Sequence, residues 1–265
     1  MKKTILITGS TDGIGKLTAI KLAKEGHTIY IHGRNPGKLS AAISEIKDTA
    51  GNENVKGFVA DFSDLDSVRQ MAEQIKKEVS KIDVLINNAG VFKSSVSDNK
   101  DGLDIRLVVN YLAPYLLTAR LIPLLKNGAE PRIINLSSAA QSSVSYEVLS
   151  GKEKASQGET YAQSKLALTM WSFHLAKTVP EIAVIAVNPG SLLNTKMAHE
   201  AYGQHWSSAD KGANILYDLA ISEAYNRVTG KYFDNDKGTF GRAHPDAYDE
   251  TVIDKLIRVT DDLVN

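Results

Sequence analysis

The chain has 265 residues, a hydrophobic fraction of 43% and no cysteine. Its 31 basic and 31 acidic residues balance to a formal net charge of zero, so no general electrostatic pull toward nucleic acid or an anionic membrane follows. Disulfides, thiolate metal sites and a cysteine nucleophile are excluded, a usage that fits a reducing cytoplasm.

Lys2-Lys3 before Ile5-Leu6-Ile7 has the outline of a leader, but the apolar run stops at Gly9-Ser10-Thr11-Asp12, too short for one. No apolar stretch approaches the roughly 18 residues of a membrane span. Thr4-Ile5-Leu6-Ile7-Thr8 reads as a buried parallel strand. Gly9-Ser10-Thr11-Asp12-Gly13-Ile14-Gly15 follows, then a helical pattern through Leu17, Ile20 and Leu22, closed by Gly26. Strand, glycine turn and helix together suit a pyrophosphate. Missing Cβ atoms let the backbone approach, and the helix start offers free N–H groups to an anion. The spacing is G-x-x-x-G-x-G rather than the G-x-G-x-x-G fingerprint.

Thr28-Ile29-Tyr30-Ile31-His32 is a second strand, ending in Gly33-Arg34-Asn35. An acidic residue about 20 positions past the glycines would hold the ribose 2′-OH of NAD. Arg34 stands there instead, and arginine suits a 2′-phosphate by charge and by its fork of donors. Lys16, just inside the first helix, offers a second cation. A helix over 36–49 leads to a third strand, 55–60, ended by Asp61. The next helix, 63–80, takes Ser63 as its N-cap, with Asp66 three residues on. Ile82-Asp83-Val84-Leu85-Ile86 is a fourth strand, followed by Asn87-Asn88-Ala89-Gly90.

A helical region over about 102–125 contains Asn110, with kinks or breaks expected at Pro114 and Pro123. Ile133-Ile134-Asn135-Leu136 is a fifth strand, ended by Ser137-Ser138. A polar stretch follows, then a helix that carries Tyr161-Ala162-Gln163-Ser164-Lys165 and runs to about Thr178. Four residues is about one helical turn, so Tyr161 and Lys165 share a face. A nearby ammonium favours the phenolate and lowers the tyrosine pKa, which makes the pair a usable general acid/base near neutrality. A sixth strand, 182–187, ends in Asn188-Pro189-Gly190. A loop over 191–209, a helix over 209–221, a short strand at Lys231-Tyr232-Phe233 and a helix over 247–263 complete the chain.

Strands alternating with helices predict a single α/β domain over residues 1–265, built on a doubly wound parallel sheet. Ligands of such sheets bind outside the carboxyl ends of the strands. The glycine turn, Arg34, Asp61, Asn87-Asn88-Ala89-Gly90, Ser137-Ser138 and Pro189-Gly190 all follow strands at that edge. They give a nucleotide site over strands one to three and a second polar site over strands four to six.

The ordered set Thr8-Gly9-x-x-x-Gly13-x-Gly15, Asn87-Asn88-Ala89-Gly90, Asn110, Ser138, Tyr161-x-x-x-Lys165 and Pro189-Gly190 resembles the short-chain dehydrogenase/reductase family over residues 4 to about 195. The resemblance implies a Rossmann-type fold and an NADP-dependent oxidoreductase acting on a small carbonyl or alcohol substrate. Tyr161 is then the general acid in carbonyl reduction. Lys165 lowers its pKa and holds the nicotinamide ribose, Ser138 hydrogen-bonds the substrate oxygen, and Asn110 holds a water in a proton relay. Gly9, Ser10, Thr11, Gly13, Ile14 and Gly15 cradle the pyrophosphate, and Asp61 contacts adenine. Asn88, Ala89 and Gly90 line the cleft, Thr195 meets the carboxamide, and Pro189 and Gly190 complete the cofactor site. Ser138 and Tyr161 lie 23 positions apart, further than in the family's shorter members. The added residues, about 142–158, are expected to form a polar flap beside the site. Such a lengthening, with an arginine after strand two, resembles the retinol dehydrogenase-like and protochlorophyllide reductase-like branch.

Metal chemistry is not expected, because His27, His32, His174, His199, His205 and His244 show no ligand spacing and read as surface or core. A serine hydrolase lacks its G-x-S-x-G. A sugar epimerase or dehydratase would carry a different glycine turn and a larger C-terminal domain. The alternative of another class is an NADP-binding redox-sensing regulator without turnover, against which the full set Asn110, Ser138, Tyr161 and Lys165 argues. The 191–209 loop is expected to be a substrate lid, lined by Met197, Tyr202, His205 and Trp206. By resemblance, pairing through the helices carrying Asn110 and Tyr161 gives a homodimer or homotetramer.

Overall fold

The structure, a computed structural model, describes residues 1–203 and 205–265, with backbone alone at Ala201 and Tyr202. Among the described residues seven strands run parallel: β1 (Thr4–Ile7), β2 (Thr28–Gly33), β3 (Val55–Val59), β4 (Val84–Asn87), β5 (Arg132–Leu136), β6 (Ala183–Asn188) and β7 (Lys231–Asp234). A short β8 (Thr239–Gly241), not foreseen in the sequence, closes one edge antiparallel to β7. The spatial order is β3-β2-β1-β4-β5-β6-β7-β8. The winding reverses between β1 and β4, so their carboxyl ends flank the crevice where such sheets bind ligands.

The central strands β1, β2, β4, β5 and β6 are buried on both faces, and alternation sorts their side chains into two layers. Ile7, Ile86, Ile134 and Ile185 pair in register across β1, β4, β5 and β6 and are fully buried in one layer. Leu6, Leu85, Ile133 and Val184 form the matching row in the other. Each such side chain stabilises the fold by about 1.5–3 kcal/mol.

In chain order the helices are α1 (Gly13–Lys24), α2 (Pro36–Ala50), α3 (Leu65–Glu78), α4 (Ile105–Leu107), α5 (Ala113–Lys126), α6 (Tyr146–Leu149), α7 (Gln157–Thr178), α8 (Lys196–Tyr202), α9 (Ala209–Ile221) and α10 (Glu250–Val264). Buried residues of α1, α2 and α9 pack on the isoleucine row, and those of α3, α5, α7 and α10 on the opposite face.

Several boundaries differ from the sequence reading. The Ser63 amide and hydroxyl both donate to Asp61, at 2.9 and 2.8 Å, so the N-cap passes to Asp64, whose side chain accepts from the Asp66 amide. The expected helix over 102–125 begins at α4 and widens into a π-turn, Val108–Leu112, before α5. Pro114 has no N–H to give the Asn110 carbonyl four residues back, which explains the break in α-helical bonding. The continuous segment Ile105–Lys126, 22 residues, is long and apolar enough to cross a membrane, contrary to the sequence reading; 67% of its most apolar window is buried inside the fold.

Within the expected flap, 142–158, the short α6 buries two residues, while the others are partly or fully exposed. Ser145 caps α6, its amide donates to Gln163 Oε1 at 3.0 Å, and Val148 and Leu149 are buried. The lid segment is not all loop, because Thr195 and a left-handed Gly203 cap α8 within it. The Tyr202 side chain lies outside the described residues. The chain's last helical stretch is a 3-10 turn, Pro245–Tyr248, followed by α10, which Asp249 caps.

α10 lies over the outer face of α3, α5 and α7. Ile253, Leu256, Thr260 and Val264 are its buried residues. Tyr111 Oη and Thr260 Oγ1 lie 2.7 Å apart, Tyr115 Oη donates to Asp261 at 2.6 Å, and Arg69 donates to the Val264 carbonyl at 2.5 Å. Part of the apolar surface offered for pairing is therefore covered by the chain's own α10.

Candidate active site

The crevice between β1 and β4 is fastened before any ligand enters. Thr8 Oγ1 accepts the amides of Asn88 and Ala89, both at 3.0 Å. Asn88 Nδ2 donates to the carbonyls of Thr8 and Gly9, both at 2.8 Å. Two glycines answer to this knot. Gly9 takes φ +61°, and a Cβ there would lie 2.6 Å from Ala89 Cα; a Cβ on Gly15 would run into Asn88 Nδ2. Gly13, at φ +58°, has an open side whose nearest neighbour is Thr195 Cγ2, 3.8 Å away.

The first turn of α1 has spare amides. Asp12 caps Gly13 N, while Ile14 and Gly15 have no intrahelical acceptors at that position. Two N–H groups beside an open glycine, at the positive end of a helix dipole, fit a pyrophosphate. Ser10 does not offer its side chain: its hydroxyl donates inward to the Ile7 carbonyl at 2.6 Å. Thr11 packs over Gly33, where a Cβ would collide with it. Arg34 is exposed beyond that contact. Lys16 is not a spare cation, because Glu45 of α2 pairs with it at 2.9 Å. Asp61 is exposed and accepts from Ser63 as described.

The other half of the crevice centres on α7. Ser156 caps this helix, and Tyr161 and Lys165 fall on one face, with Lys165 Nζ 5.6 Å from the Tyr161 ring centre. Lys165 is 4% exposed, and its ammonium donates to the Leu136 carbonyl at 2.7 Å. Burial pushes its pKa down to about 8. The partly exposed Tyr161 ring meets Phe92 at 4.8 Å, tilted by 59°.

Ser138 Oγ accepts the Ala140 amide at 3.1 Å, which leaves its own O–H to donate. Ser137 turns inward toward the Lys165 carbonyl and Thr169. Asn110 is buried and its side chain is occupied: Oδ1 accepts the Val91 amide at 2.7 Å, and Nδ2 donates to Val91 O and Ser164 Oγ, both at 3.0 Å. Gly90 sits where these parts converge. A Cβ there would lie 3.4 Å from Asn110 Oδ1, 3.6 Å from Met197 Cε and 3.7 Å from Lys165 Nζ. The Pro189-Gly190 loop is held from β7, since Asn235 Nδ2 donates to the Pro189 carbonyl at 2.8 Å. Thr195 caps α8 and reaches the glycine turn. Of the other expected lid residues, His205 meets His199 at 4.9 Å and Trp206 is 73% exposed.

Two residues of this neighbourhood were not singled out from the sequence. Arg106, 2% exposed, donates to Asp104 at 2.6 Å and to Thr160 Oγ1 at 2.7 Å, bracing the turn before Tyr161. The signal was a charge in an apolar helix. His32, read as surface or core, is tied to the Gly9 amide.

A doubly wound sheet whose switch-point crevice opens between a glycine turn and a tyrosine–lysine pair places the protein among the nucleotide-binding oxidoreductases. The chain belongs to the short-chain dehydrogenase family, a nicotinamide-dependent group, and to its retinol dehydrogenase-like branch. The family model, described as short chain dehydrogenase, matches residues 3–205. Human retinol dehydrogenase 12 is 33% identical, over 99% of this chain and 86% of its own length. A Mycobacterium paratuberculosis protein of known structure superposes with a TM-score of 0.81 at 26% identity, over 99% of this chain and 93% of its own. A Shigella flexneri short chain dehydrogenase complexed with NADP gives 0.71 at 26%, over 88% and 97%.

Proposed function

We propose that the protein is an NADP-dependent oxidoreductase that interconverts a carbonyl and an alcohol, with Tyr161 as general acid/base. The observation that carries this reading is the buried Lys165 ammonium beside Tyr161, hydrogen-bonded to a neutral carbonyl. The dinucleotide supplies or accepts the hydride when bound.

In the reducing direction, Tyr161 Oη protonates the substrate oxygen as charge develops on it. Lys165 steadies the phenolate left behind. It has two further N–H groups for the ribose hydroxyls. Ser138 orients the substrate oxygen through its remaining O–H. Asn110 acts by fixing Val91, and a proton relay at this position falls to its main-chain carbonyl, which Pro114 cannot serve. Arg34 meets the 2′-phosphate, Asp61 the adenine, and the α1 turn the pyrophosphate; Asn88, Ala89, Gly90, Pro189, Gly190 and Thr195 border the remainder. The named activity of the retinol dehydrogenase relative, with Phe92 and Met197 beside the reacting end, supports a substrate with an apolar body.

The test is oxidation of NADPH, with NADH in parallel, against a panel of ketones, aldehydes and quinones. Turnover with NADPH and little with NADH is expected. Preference for NADH would remove the Arg34 assignment, and tight NADPH binding without turnover on any carbonyl would favour the sensor.

A further inference from the structure

The proposed chemistry leaves unused a buried imidazole that touches both loops at the adenosine end of the crevice. His32, at the end of β2, is 3% exposed. Its Nδ1 accepts the Gly9 amide at 3.0 Å, and its Nε2 lies 3.0 Å from the Ala60 carbonyl, one residue before Asp61. The main chain ties the same knot. His32 N donates to Ser10 Oγ at 3.1 Å, and Ser10 N donates to His32 O at 2.9 Å. The ring stacks on Phe62, with centres 4.1 Å apart and planes 21° from parallel.

These contacts fix the tautomer. Nδ1 must be bare to accept from an amide, so Nε2 carries the proton and donates to Ala60 O. A second proton would set an N–H against the Gly9 N–H, and burial disfavours it, pushing the pKa down to about 4. One rigid ring thus holds the glycine turn with one nitrogen and the end of β3 with the other. A flexible side chain would leave that separation free.

We infer that His32 is a positioning residue for the adenosine and phosphate half of the cofactor, setting the spacing between the Gly9 turn and the Ala60–Asp61 corner. The inference rests on the NADP reading of the crevice. His32, buried between the two loops, acts through the Gly9 and Ala60 main chain.

The test compares wild type with His32→Asn, His32→Gln and His32→Leu. The readouts are calorimetric titration with NADPH and with adenosine 2′,5′-bisphosphate, kcat at saturating NADPH, and thermal melting. Asparagine can present an oxygen near the Nδ1 position, glutamine reaches toward Ala60 only, and leucine does neither. Leucine is expected to weaken both ligands by about tenfold, the scale of one well-made hydrogen bond. Asparagine should recover most of that loss, and kcat at saturation should stay within about twofold. Glutamine gives the same affinity loss where leucine prevents folding. Wild-type affinity for both ligands in the leucine or glutamine protein, whatever the melting temperature, would overturn the inference. So would a matched fall in affinity and kcat that asparagine does not rescue. Failure of the wild type to bind either ligand would remove the NADP reading, and the role of His32 with it.

Discussion

The two halves of the crevice are built in opposite ways. At the nucleotide end, side chains hold main chain: Thr8, Ser10, His32 and Asn88 are all engaged on backbone groups of the glycine turn and its neighbours. At the reacting end, main chain holds side chains: the Leu136 carbonyl fixes Lys165 and the Ala140 amide fixes Ser138. The first arrangement presents amides, which suit an anion of fixed shape. The second presents functional groups, which suit chemistry. Substitutions should therefore separate cleanly into losses of rate and losses of cofactor affinity.

The sharpest separation is Tyr161→Phe. Turnover should fall by at least about a thousandfold, within the range of general acid/base catalysis, while the NADPH dissociation constant stays within about threefold by fluorescence titration. A comparable loss of binding would break the division. Arg34→Ser should do the reverse, weakening NADPH by about tenfold to a hundredfold, as loss of charge-assisted hydrogen bonds does. The KM for NADH should be unchanged, so the preference for NADPH should collapse.

The knot itself can be probed at Gly15, whose Cβ would strike Asn88. Gly15→Ala should cost about 1–3 kcal/mol of stability by overpacking. Adding Asn88→Ala relieves that contact and leaves the Gly9 carbonyl at 2.9 Å, and chemical denaturation of the four proteins of the cycle should show a favourable coupling of about 1 kcal/mol. Additive losses would mean that Asn88 is not the obstacle.

A further separation is expected in the pH profile. Lys165 loses its proton at about pH 8 rather than at the ordinary lysine value. Below that pH its charge supports the Tyr161 phenolate, and above it the charge goes. The kcat/KM for reduction should therefore halve near pH 8 and fall about tenfold per further pH unit. A profile flat to pH 10 would place Lys165 outside the chemistry.

How far each half could be read from sequence follows from the same contrast. Glycines 9, 13 and 15 are legible because a missing side chain is a visible choice, and Tyr161 and Lys165 because four residues make a helical turn. The holders are not. His32 sits in a strand buried on both faces, where alternation gives no sign of a polar role. Lys16 reads as a free cation because its partner, Glu45, is 29 residues away on another helix. The break before α5 was legible in part, since Pro114 was expected to interrupt the helix; its form as a π-turn around Asn110 was not. α8 is not legible because seven residues make fewer than two turns, too short to show a helical period.

The strap formed by α10 bears on folding. Arg69 reaches the Val264 carbonyl across 195 residues of sequence, and Tyr111 reaches Thr260 across 149. Contacts so distant along the chain raise the contact order, which slows folding. Until α10 docks, the outer face of α5 and α7 stands open, with Tyr111 and Tyr115 without their α10 partners. A chain in which α10 has not docked exposes apolar surface of the kind that promotes aggregation.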